Sequence, residues 1–184
     1  MSLGGGLGGL PMRGIVVACL ALASTAAPAA EPSFGFKPDA FQAAFNDAAK
    51  ARKTERYVGP ARCETATPVV CNFAFTDVIR AAVTGDEASG EADEIVITFL
   101  RPTHNIKGHS LISYRIYGDV VHLLSGTADA AARGAAVKKL LAALNTTRKE
   151  VVEVGSVRYT LDMKRTGVRF VAKPLATVGP SASR

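Results

Sequence analysis

The chain has no tryptophan, and only three residues each of cysteine, methionine and histidine in a total of 184. Those scarcities limit the chemistry it can carry. No Cys-x-x-Cys pair occurs and the histidines fall at no recognised zinc spacing, so the usual metal and thiol-redox motifs are missing. There is no Gly-x-Ser-x-Gly elbow, which excludes the nucleophile turn of the α/β hydrolases. A glycine-rich phosphate loop is absent too, since Gly85 and Gly90 bracket an acidic loop that repels phosphate. Nowhere do five charges of one sign run together, and no aromatic ladder interleaves with the basic residues. Nucleic acid is therefore excluded as a partner. Nor is there an uninterrupted run of about 20 apolar residues of the kind that spans a membrane.

What is present begins with an address. Arg13 precedes an apolar run from Gly14 to Ala23, which gives way to small residues and an Ala-x-Ala site at Ala27, Pro28 and Ala29. This is the layout of a secretory signal peptide over residues 1–30, and it implies a periplasmic or secreted product. Val16, Val17, Ala18 and Cys19 also have the form of a bacterial lipoprotein box. Only five residues separate Arg13 from Cys19, against an ordinary apolar segment of about 7 to 15. The expectation is a soluble mature protein, with a lipid-modified Cys19 as the alternative.

Removal of the signal leaves about 154 residues, the size of one ordinary domain. The expected organisation is a single domain over residues 31–175 followed by a flexible tail, 176–184. Apolar residues make up 48% and charged residues 21%, a globular composition. The net charge of +6 is unevenly spread. From Glu31 to Leu100 there are 7 basic against 11 acidic residues, and from Arg101 to Arg184 there are 14 against 5. Such asymmetry draws two halves of one fold together, or gives a weak attraction to anionic surfaces.

Two cysteines survive cleavage, Cys63 and Cys71. Thr67 and Pro68 between them form a turn, and a hairpin centred on Thr67 puts residue 63 directly opposite residue 71. Antiparallel neighbours lie within disulfide reach, and an exported protein meets oxidising conditions, so a structural Cys63–Cys71 disulfide is expected.

The periodicities predict an α+β fold, mainly an antiparallel sheet with two helices packed on one face. A first helix is expected from Pro38 to Lys53, where Phe41, Ala44, Phe45, Ala48 and Ala49 make an apolar stripe. Strands are expected over 70–75, 79–84 and 94–100. A hairpin is expected at 111–117 and 120–124, turning at Gly118 and Asp119. A second helix is expected over 128–144, with Thr127 as its N-cap, Asn145 as its stop, and Val137, Leu140, Leu141 and Leu144 buried. Alternation is clearest at the end of the chain: Val157, Tyr159, Leu161 and Met163 share one face, and a turn at 164–167 leads into a strand at 168–172.

No residue is assigned a catalytic role, and no cofactor or metal is expected. His104 and His109 bracket a loop and form the one possible polar site; Asp86, Glu87, Glu91, Asp93 and Glu94 read as a solvated charge run. Asn145, Thr146 and Thr147 match a glycosylation acceptor only formally. Three functions are in view. The first is a non-enzymatic binding or accessory protein of the bacterial envelope, presenting the charged edge of its sheet to an envelope protein. The second is a carrier of a small apolar ligand, held between helices and sheet by Phe34, Phe36, Phe41, Phe45, Phe73, Phe75 and Phe99. The third is a small hydrolase or metalloenzyme built on His104 and His109.

Overall fold

Alternating apolar and polar residues across the middle and the end of the chain build, among the described residues, one antiparallel sheet of seven strands. A computed structural model describes residues 31–54, 57–100, 106–144, 149–164 and 166–176, with residues 106–110 described in backbone only. The strands are β1 (Arg62–Glu64), β2 (Val70–Ala74), β3 (Ile79–Gly85), β4 (Ala92–Leu100), β5 (Glu150–Val154), β6 (Val157–Lys164) and β7 (Gly167–Pro174). Their spatial order is β1-β2-β3-β4-β7-β6-β5, so two meanders meet where β4 pairs with β7. Among the described residues three α-helices complete the α+β arrangement: α1 (Phe41–Ala51), α2 (Ile106–Leu124) and α3 (Ala130–Ala143).

The strand alternation sorts the side chains into a dry face and a wet one. Phe73, Ala81, Ile97, Phe170 and Leu161 lie side by side across five strands, and Cys71, Val83, Ile95, Ala172 and Tyr159 form the next row. All ten are buried. Phe41, Phe45 and Ala49 of α1 are buried against them, as the predicted stripe requires. The Phe41 ring meets Phe73 edge-on at 5.3 Å, Phe45 meets Phe75 at 4.9 Å, and Tyr117 of α2 stacks on Phe170 at 4.8 Å. Pro38–Ala40 form a single 3-10 turn before α1, so the α-helix starts later than the proline alone implies.

The hairpin expected at 111–124 is instead the helix α2. Ser113, Ile116, Tyr117, Val120 and Val121 are buried at helical spacing, whereas a strand would have divided them between two faces. Both supposed turn residues serve helix packing. Gly118 lies where α2 passes α3, near the Val137 side chain, and Asp119 is buried against α1. The expected two helices are therefore three among the described residues.

Two smaller corrections concern α3 and its successor. Asp129, not Thr127, is the N-cap: its carboxylate accepts the Ala131 and Ala132 backbone N–H groups at 3.0 and 3.2 Å. The buried stripe runs through Ala136, Leu140 and Ala143, with Val137, Leu141 and Leu144 at its half-buried margin. Strand β5, which packs along α3, was not expected. It joins β6 through a two-residue turn in which Gly155 takes a positive φ of 59°. Asn145 and the glycosylation triplet lie outside the described residues, as do the signal segment and residues 177–184.

Candidate functional site

The Cys63–Cys71 disulfide is formed, and it joins the register partners that the sequence pairs. It ties the short edge strand β1 to β2. His104 lies outside the described residues, and His109 falls in the first turns of α2 rather than in a loop, its side chain likewise outside them. The third histidine, His122, is half-buried near the end of α2. Burial is the largest cause holding its pKa below the ordinary value, and the Arg52 and Arg133 guanidinium groups add to it. Among the described residues no group of histidine, cysteine and carboxylate side chains is arranged to hold a metal ion.

The acidic run has more structure than a solvated stretch needs. Asp86 accepts hydrogen bonds from the Ser89 backbone N–H at 2.7 Å, the Ser89 hydroxyl at 2.8 Å and the Ala88 N–H at 3.1 Å. These bonds lower its pKa and set the β3–β4 turn. Glu94 faces Lys173 at 3.3 Å and Arg169 at 3.9 Å, across the junction of the two meanders. Asp93 is partly buried, and desolvation pushes its pKa up.

One charge pair has its acidic member buried in the molecule. Asp119 has no solvent exposure and is paired with Arg52 at the end of α1. Desolvation is the largest influence on Asp119 and raises its pKa, while Arg52, Thr54 and His122 pull it the other way. With its carboxylate sealed and its guanidinium partly open to solvent, this pair joins α1 to α2. A second buried polar link joins the loop after α2 to the β5–β6 hairpin: the Ser125 hydroxyl donates to the Val154 carbonyl at 3.1 Å and lies 2.6 Å from the Tyr159 phenol oxygen. Burial raises the Tyr159 pKa to about 12, so the phenol is neutral.

A feature open to solvent lies at the β1–β3 end of the sheet. A cleft of about 530 Å³ is lined by Gly59, Pro60, Arg62, Asn72, Phe73, Ala74, Thr76, Asp77 and Arg80. Its wall at Gly59 and Pro60 is fastened through the preceding residue, Val58. The Val58 N–H donates to the Asn46 side chain at 2.8 Å, Asn46 donates back to the Val58 carbonyl at 3.2 Å, and the Gly59 N–H bonds the Ala74 carbonyl at 3.2 Å. Arg62 is the register partner of Asn72, and Arg80 that of Ala74, so both arginines rise from the wet face. Sequence reasoning missed them. The signal was the Thr67-centred hairpin itself: extended by one residue, it pairs 62 with 72 and starts the count along β2 that brings in residue 80.

Of the seven phenylalanines expected to line an apolar cleft, Phe41, Phe45, Phe73 and Phe99 are buried in the core, and Phe75 is packed against Phe45. Phe34 and Phe36 line a smaller pocket of about 170 Å³ beside Leu123, Leu124 and Val157. Compared with known proteins, the chain matches no family model, no curated protein and no solved structure.

Proposed function

We propose that this chain is an exported, non-enzymatic binding protein that meets an envelope partner through the β1–β3 edge of its sheet. The observation that carries this reading is the 530 Å³ cleft at that edge, open to solvent and braced by a disulfide. Clefts of about 300 to 1,000 Å³ are the usual size for ligand sites. The disulfide fits an oxidising compartment, and no helix among the described residues is long and apolar enough to cross a membrane. The aromatic packing between helices and sheet favours this edge over a carrier pocket there.

The test places a photo-crosslinking residue at Thr76 in the cleft, or at Arg158 far along the sheet, in cells that produce the protein. Export is read from the same sample by the mass of the mature chain. The expected outcome is an N-terminus near Ala30 or Glu31, and a discrete crosslink from position 76 that position 158 does not give. Full-length protein retained in the cytoplasm, or the same crosslinks from both positions, would overturn the reading; a diacylated Cys19 would overturn only the soluble form of the mature chain.

A further inference from the structure

The wet face of the sheet treats its cations in two ways. Arg158 is bonded to Glu153 at 2.7 Å, Lys164 to Asp162 at 2.7 Å, and Arg169 and Lys173 share Glu94. Arg62 and Arg80, on the same face and both exposed, have no ion pair among the described residues. They flank β2 from either side, on β1 and β3, one same-face step apart along the strands. Standard strand spacings put their Cα atoms about 12 Å apart. Between them stand Asn72, which offers amide donors, and Ala74, whose methyl leaves the space open. Both arginines line the cleft, and an extended guanidinium from either side is long enough to meet the oxygens of a planar carboxylate or a tetrahedral phosphate in that gap.

We infer that the cleft binds a small ligand by an oxyanion group, carboxylate or phosphate, held between Arg62 and Arg80 over Asn72. The inference rests on the reading of the β1–β3 edge as the binding surface. Asp77 shares the cleft lining and carries the opposite charge, so the cleft's net charge is small and positive. The site therefore admits one oxyanion and disfavours a second. Thr76, beside Asp77, adds a hydroxyl to the same lining and serves the neutral part of the ligand.

Isothermal titration of the mature, disulfide-bonded protein with inorganic phosphate and with acetate, each against sodium chloride at equal ionic strength, tests this. Saturable one-to-one binding is expected. Arg62→Met and Arg80→Met should each weaken it by about tenfold or more, the range for losing a charge-assisted hydrogen bond. Arg158→Met, which removes a paired cation from the same face, should leave it unchanged. Asp77→Asn should tighten it about twofold by removing a nearby like charge. The tighter of the two probes identifies the oxyanion as tetrahedral or planar. Binding no stronger than chloride, equal weakening in all three cation variants, or weakening by Asp77→Asn would overturn the inference. A position-specific crosslink from residue 76 together with no anion binding defeats the oxyanion site alone; loss of both defeats the binding edge itself.

Discussion

At the residue scale, the Arg52–Asp119 pair shows how burial changes the worth of a charge. Asp119 is sealed while the Arg52 side chain keeps 34% exposure, so the two partners lose different amounts of hydration. Arg52→Met strands a buried carboxylate and should cost about 3 kcal/mol at pH 7, whereas the double variant Arg52→Met with Asp119→Leu should return to within about 1 kcal/mol of the parent. Urea denaturation at several pH values checks both. Asp119 has a raised pKa, so its contribution to stability is complete below the ordinary 3.8 and is lost as pH climbs through the raised value. Without Arg52 that rise is larger. The deficit of Arg52→Met should therefore narrow as the solution is acidified, and a constant gap from pH 7 to 4 would refute the account. His122 acts in the opposite sense in the parent: its lowered pKa means the unfolded chain protonates first, so stability falls as pH drops below 6.5. Arg52 helps to lower that value, so its removal eases the acid loss and narrows the gap further.

At the scale of the elements, the sheet depends on a close approach between β7 and β4. Gly167 opens β7 opposite Leu100 with a φ of 154°, and a Cβ there would stand 2.0 Å from the Phe99 carbonyl oxygen. That oxygen belongs to the backbone and has no rotamer to escape into. Gly167→Ala should cost about 2 to 4 kcal/mol, because the strands must part or the backbone must strain. Gly134→Ala is the control. Gly134 is on the exposed side of α3, where an added Cβ meets nothing within 4 Å, and alanine should stabilise the helix by about 1 kcal/mol. Thermal melts of the two variants moving in the same direction would contradict this.

At the scale of the whole molecule, the opposite charges of the two halves meet at the β4–β7 seam. Glu94, from the acidic half, lies between Lys173 and Arg169 of the basic half. The pairs are partly exposed, so Glu94→Gln should cost about 0.5 to 1 kcal/mol in dilute buffer. That cost should fade in about 1 M salt, where the screening length drops to about 3 Å. An unchanged penalty at high salt would assign it to packing instead. The asymmetry in composition thus belongs at least partly to the seam between the meanders. Arg62 and Arg80, which have no ion pair among the described residues, lie away from that seam, in the cleft at the β1–β3 edge.

The local pattern of this chain was enough to set most of its elements. Phe41, Phe45 and Ala49 recur at helical spacing, Val157 to Met163 alternate with polar partners, and the turn at Thr67 and Pro68 aligns Cys63 with Cys71. In each case one period or one turn excludes the alternatives, and the α+β class follows. Leu111 to Leu124 was different, because its β-branched and aromatic residues have strand propensity and its Gly118–Asp119 step reads as a turn. Only burial against α1, α3 and Phe170 selected the helix there, and only the Arg52 partner made a buried Asp119 tolerable. The cleft was decided the same way. Arg62 and Arg80 are separated by two turns, and nothing local says that they share a face; strand register does, because each hydrogen-bonded pairing fixes which side chains point the same way.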